Sequence, residues 1–178
     1  MYRIPLLFIF LIFFNSTLQA QNISGIDLGP EINLPSGNFS SLSGIGLGFS
    51  IKASFPVAAD FAVSLSGGYT NFFGKRAQIV RIADLTYVPL KAGMKYFLSE
   101  TFYAEGQFGA GLAIEDGQKT VAIWSPGIGN QFSLRNENKL DFGIRYESWI
   151  GRNESVIVSN RTNSKGFVGI RLAYQIGL

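Results

Sequence analysis

The chain contains no cysteine and no histidine. Without cysteine there is no disulfide scaffold, no lipidated N-terminal cysteine and no thiolate metal site. Without histidine, Ser-His and Cys-His nucleophilic catalysis, HExxH zinc chemistry and a His-ligated haem all fall away. Charge is scarce as well. Only 15% of the 178 residues are charged, and the formal net charge of +3 is scattered, which offers no footprint for nucleic acid. What the chain does have is 47% hydrophobic residues, 14% aromatic residues, 16 Phe and 21 Gly.

The N-terminus reads as a targeting segment. Met1-Tyr2-Arg3 carries one positive charge, Ile4 to Phe14 is an apolar run, and Asn15 to Ala20 turns polar and ends on a small residue. That order is a cleaved signal peptide. The run is too short for a membrane-spanning helix, which needs about 20 apolar residues. Cleavage is expected after Ala20, so that Gln21 opens a mature chain of one domain over residues 21–178. Four of the Phe (Phe8, Phe10, Phe13, Phe14) leave with the leader, whereas all the Gly stay.

The mature chain alternates with a period of two. In Gly44 to Phe55 the odd positions are apolar (Ile45, Leu47, Phe49, Ile51, Ala53, Phe55) and the even ones small or polar. Side chains on a strand point to opposite faces in turn, so this is a two-faced strand. The pattern recurs in 61–70, 88–98, 102–115, 120–132, 140–149 and 166–178, and less cleanly in 23–34. Eight strands of about ten to thirteen residues result, a length that suits a tilted bilayer crossing better than a globular sheet. The predicted fold is all-β: an eight-stranded antiparallel up-and-down barrel, closed so that no edge is left unpaired.

Two observations put the apolar face outside. The charged face is also the Gly and Ser face, and an eight-stranded interior has room only for side chains. None of the 26 charged residues beyond the leader falls on the apolar face of a predicted strand. Ten lie mid-strand on the other face: Asp27, Glu31, Glu105, Asp141 and Glu147 against Lys52, Lys91, Lys95, Arg145 and Arg171. Five of each sign are what a self-neutralising lumen requires, since an unpaired buried charge costs several kcal/mol. Lys95 and Glu105 flank a short turn and are expected to form an ion pair. A soluble lipid-binding barrel, the alternative with the same strand count, would turn its apolar face inward. A narrow pore for small solutes is the other alternative.

Short turns are expected at 56–60, 99–101 and 133–138, and external connections at 35–43, 73–87, 116–119 and 151–165, of which 73–87 and 151–165 are long, the asymmetry usual in such barrels. Residues 78–85 and 155–159 have β-propensity and are expected to extend the barrel as hairpins. Tyr69, Trp124 and Tyr146 fall near the outer interface, and Phe55, Phe61, Tyr96, Phe102 and Phe132 near the inner one. Pro30, Pro89 and Pro126 each remove a ladder hydrogen bond, and bulges are expected there.

The runs Leu28-Gly-Pro-Glu-Ile, Leu34-Pro-Ser-Gly-Asn-Phe, Tyr69-Thr-Asn-Phe-Phe-Gly, Tyr87-Val-Pro-Leu-Lys-Ala-Gly, Tyr103-Ala-Glu-Gly-Gln-Phe-Gly-Ala-Gly and Ser125-Pro-Gly-Ile-Gly resemble the small outer-membrane β-barrel proteins of the Bacteroidota. So do Leu140-Asp-Phe-Gly-Ile-Arg-Tyr-Glu and Phe167-Val-Gly-Ile-Arg-Leu-Ala-Tyr, over nearly the whole mature chain. The resemblance implies an OmpA/OmpX-like barrel in the outer membrane, and its motifs encode construction rather than activity. The last strand resembles an insertion signal, ending on Leu178 where an aromatic residue is usual.

No constellation for catalysis emerges. There is no histidine base, no Ser-x-x-Lys, and Gly44-Ile-Gly-Leu-Gly precedes no helix, so it is not a phosphate loop. The expectation is a monomeric, non-enzymatic protein with no cofactor, no metal and no nucleic acid. The partners open to it are outer-membrane lipid, including lipopolysaccharide, and an unidentified surface protein, met through Lys75, Arg76 and Arg81, set against Asp84, of the 73–87 connection or through a strand edge there; the alternative, which the variability of exposed loops favours, is a solvated loop that merely links strands.

Overall fold

A computed structural model describes residues 25–77, 80–81, 84–115, 118–135, 137–152 and 162–177. The expected leader, with its expected cleavage between Ala20 and Gln21, lies outside these residues, as does the 155–159 segment. The chain forms a closed antiparallel barrel of eight strands. They are β1 (Gly25–Pro35), β2 (Ser43–Ala58), β3 (Phe61–Gly74), β6 (Leu85–Phe97), β7 (Phe102–Ala113), β8 (Val121–Ser133), β9 (Lys139–Arg152) and β10 (Thr162–Ile176). A short hairpin of β4 (Arg76–Ala77) and β5 (Val80–Arg81) stands between β3 and β6, and a one-turn helix, α1 (Phe39–Leu42), lies between β1 and β2. Each barrel strand pairs with its sequence neighbour, and β1 closes the ring on β10, with Ile26 opposite Ile176 and Leu34 opposite Val168. Among the described residues no helix is long and apolar enough to cross a membrane.

Several strands outrun their predicted ends, whereas β7 stops at Ala113, short of its predicted end at 115. β2 continues through Pro56 to Ala58 with a register shift, so the predicted turn at 56–60 shrinks to two residues. The other short turns fall where expected: Leu98 N–H donates to Phe102 O (2.9 Å) and Leu134 N–H to Asn138 O (2.8 Å). At the opposite end β3 and β6 each grow into the predicted 73–87 loop, which narrows to the β4–β5 hairpin. β9 and β10 likewise extend to Arg152 and from Thr162.

The proline expectation needs correction. Pairing steps from Leu28–Tyr174 to Glu31–Arg171 beside Pro30, from Gly67–Leu90 to Thr70–Tyr87 beside Pro89, and from Trp124–Ser148 to Gly127–Arg145 beside Pro126. Register is the same on both sides of every gap, so none is a bulge. On its other side each proline stays in an unbroken ladder, opposite Phe49, Gly111 and Gly106. A one-residue slip would turn every later side chain to the wrong face. Losing the hydrogen bonds on one side of the strand is the smaller cost.

The apolar positions face outward. Leu47, Phe49, Ile51, Leu65, Leu90, Ile128, Ile144 and Leu172 are all exposed, which excludes the soluble barrel with an inward apolar face. Aromatics border this band. Trp124 packs against Tyr146 (ring centroids 5.9 Å) toward the long-loop end and Phe61 against Tyr96 (4.8 Å) toward the short-turn end.

Candidate functional site

Strand alternation delivers all ten predicted charges to the lumen, where no side chain among them is more than 13% exposed. They fall into three levels. Nearest the short-turn end are Asp27 (β1), Lys95 (β6), Asp141 (β9) and Arg171 (β10). Lys95 Nζ lies 3.7 Å from both Asp27 and Asp141, and Arg171 Nη1 lies 3.9 Å from Asp27 and 3.6 Å from Asp141. Asp141 is held by Tyr103 OH, which donates to both carboxylate oxygens at 2.9 and 3.0 Å, and by Gln131 Nε2 at 3.2 Å. Lys95 also sits over the Tyr103 ring, 4.5 Å from its centroid.

At mid-height Lys52 Nζ reaches Glu105 at 2.6 Å, while Ser64 Oγ and Gln107 Nε2 donate to the other Glu105 oxygen. Above lies a second quartet. Arg145 spans Glu31 (2.7 Å) and Glu147 (2.9 Å), and Lys91 Nζ meets Glu147 at 2.7 Å. Ser50 Oγ donates to Glu31 (2.6 Å) and in turn accepts from Arg171 Nε (2.9 Å), which ties the two quartets together.

The Lys95–Glu105 ion pair is not formed. The two residues are opposite in register, as the short turn dictates. Glu105 is instead held by Lys52 from β2, and Lys95 turns toward the two aspartates. In so narrow a lumen a long side chain reaches across the barrel as readily as to its neighbour on the sheet.

Toward the long loops the inward face becomes apolar. Phe72, Tyr87, Val121, Ile123, Trp149 and Phe167 pack together inside the barrel, and Phe39 of α1 closes them from above. Phe72 lies edge-on to Phe39 (5.0 Å), Phe167 (4.9 Å) and Trp149 (5.5 Å). Trp149 Nε1 donates to Glu147 at 2.7 Å, joining the aromatic cluster to the charges below it. This stopper was missed in the sequence. The available signal was parity: Trp149 shares the inward phase of Arg145 and Glu147, and Phe167 that of Arg171.

The lumen includes two small cavities of about 20 Å³ each, both bordered by Lys52, Gln107, Arg145 and Arg171. That is room for about one water apiece. Among the described residues no group of three or more acidic side chains is placed to hold a metal ion.

A closed eight-stranded barrel with an apolar exterior, aromatic borders and a charged interior defines an integral outer-membrane β-barrel protein. Solved structures similar to it are of this kind. Neisserial surface protein A matches with 14% identity and a TM-score of 0.58, covering 86% of this chain and 96% of that one. Ail, the attachment invasion locus protein of Yersinia pestis, matches with 18% identity and a TM-score of 0.57, covering 88% and 99%. The outer-membrane protein AlkL matches with 15% identity and a TM-score of 0.50, covering 92% and 95%. These likenesses show the fold. No protein-family model and no curated protein matches the chain.

Proposed function

We propose that this protein is a sealed, non-enzymatic outer-membrane barrel, a monomer that stabilises the membrane and meets partners through its external connections. One observation carries the reading: the lumen is filled from end to end, by ten paired charges and then by an aromatic stopper. An ion or solute would have to part both. The runs that resemble small barrels of the Bacteroidota fit this construction, and such barrels present binding surfaces on loops over a rigid scaffold.

The external side supports contact with anionic groups, such as the phosphates of lipopolysaccharide. Arg76 and Arg81 stand directly opposite in the β4–β5 hairpin. Two arginines on one short connection are a composition suited to phosphate oxygens. Asp84, the acid of this connection, accepts from Gly74 N–H through Oδ1 at 2.9 Å. Lys75, beside the hairpin, donates to Ser40 O at 2.6 Å and so fastens α1 over the stopper.

The test is liposome swelling in small sugars and amino acids, run beside binding to lipopolysaccharide-containing vesicles. The reading expects no swelling, and binding that falls when Arg76 and Arg81 are both replaced by Ser. Swelling at a rate set by solute size would replace it with the narrow pore.

A further inference from the structure

Gly143 shares the inward phase of Asp141 and Arg145, opposite Gly129 on β8 and Arg171 on β10. Nearby glycines of this wall are there for want of room: a Cβ on Gly129 would run into the Tyr103 ring, and one on Gly127 would lie 2.8 Å from Ile144 O. A Cβ on Gly143 would meet nothing closer than the Tyr103 hydroxyl at 3.6 Å, an ordinary contact. The space left there belongs to one of the two small lumen cavities, the one of about 20 Å³ that Tyr103, Ser125, Asp141 and Arg171 also border.

Two buried polar atoms of that border, Ser125 Oγ and Arg171 Nη1, have no hydrogen-bond partner among the described residues. Ser125 is 2% exposed and Arg171 3%. The other bonds of Arg171 decide where Nη1 goes. Its Nε donates to Ser50 Oγ at 2.9 Å and its Nη2 to the Asp27 carbonyl at 3.2 Å. Nη1 is left toward Asp141, 3.6 Å from Oδ1, beyond a direct hydrogen bond. A buried donor or hydroxyl left unmet is costly, and more so when the donor is charged.

We propose that this cavity is a binding site for one ordered water molecule, held by Arg171 Nη1, Ser125 Oγ and the Asp141 carboxylate. Size admits nothing much larger. Charge then selects among what fits. The lumen acids and bases balance five against five, so a halide would leave a negative charge in excess, and a metal ion would stand against the Arg171 guanidinium. A neutral molecule that both donates and accepts is left. Water accepts from Nη1 and donates to Asp141, which turns their 3.6 Å separation into a bridged pair, and the Ser125 hydroxyl can serve it in either sense. Arg171 thereby gains in the inner quartet the kind of partner that Ser50 gives it toward the outer one. Asp27 and Lys95 do not border the cavity and are not served by it.

The experiment is a high-resolution crystal structure of the purified protein, with a second set of crystals grown in sodium bromide. The expected result is one water peak within hydrogen-bond reach of both Ser125 Oγ and Arg171 Nη1, and no anomalous bromide signal there. A cavity without density, or one that takes bromide, would overturn the proposal. Gly143→Ala supplies a reading in solution, because its methyl group enters the cavity at ordinary contact distances. Alanine is otherwise the better strand residue, so filling a dry cavity would raise the midpoint of denaturant unfolding in detergent micelles. Displacing a bound water should lower it instead; a midpoint equal to or above that of the unaltered protein would count against the site as decisively as missing density. The crystallographic result depends on no variant folding.

Discussion

The two quartets of the lumen hold the same charges in different ways. Each has two acids and two bases. In the one nearer the outer mouth, Glu31, Lys91, Arg145 and Glu147 meet at 2.7–2.9 Å. In the one nearer the short turns, Asp27, Lys95, Asp141 and Arg171 face one another at 3.6–3.9 Å. Lys95 Nζ, Arg171 Nη1 and both Asp27 carboxylate oxygens have no hydrogen-bond partner there. The acids explain much of the difference. An aspartate is one methylene shorter than a glutamate and stops short of the middle of the lumen. Lys95 is drawn over Tyr103, and Arg171 is committed to Ser50 and to the Asp27 carbonyl at 3.2 Å. Charge balance therefore holds in both layers, whereas hydrogen-bond satisfaction holds only in the outer one. The outer quartet sets geometry, and the inner one mainly cancels charge.

That contrast can be broken by substitution, with stability read from denaturant unfolding in detergent micelles. Glu147→Ala has the largest expected effect, because it strands Lys91, Arg145 and the Trp149 indole together; a loss of about 3–5 kcal/mol is expected. Phe72→Ala opens a cavity in the aromatic stopper and should cost about 3 kcal/mol. A double-mutant cycle on Lys52 and Glu105 should give a coupling of about 1–3 kcal/mol, and one on Lys95 and Glu105 under about 0.5 kcal/mol. The reverse order would restore the pair expected from register alone. The smallest effect belongs to Asp27→Asn combined with Lys95→Met. It keeps the layer neutral, and replacing a loosely paired ion pair is often close to neutral, here within about 1 kcal/mol. A loss as large as that of Glu147→Ala would show that the two quartets do the same work.

The barrel itself was legible because its signal is local. Period-two alternation marks a strand wherever it occurs, and it assigns each charge to a face without knowledge of any partner. The opposition of Lys95 and Glu105 was legible for the same reason, since a short turn fixes register. The choice of ion-pair partner was not, because Lys52 and Glu105 sit on strands that share no ladder and meet only across the lumen. The aromatic stopper was hidden for a different reason. At Phe72-Phe73 both phases are apolar, so alternation loses its contrast at the point where the lumen changes from polar to apolar. α1 follows only from the closed barrel, which gives Phe39 a cluster to cover.

The account stands on a lumen that is closed by both the charged levels and the aromatic stopper, and planar-bilayer recording of the purified protein tests that most directly. A quiet baseline, with no steady resolved openings across a wide voltage range, is the predicted result. Stable unitary openings of one amplitude would contradict it, because ions would then be passing through the quartets and the stopper that the structure packs shut.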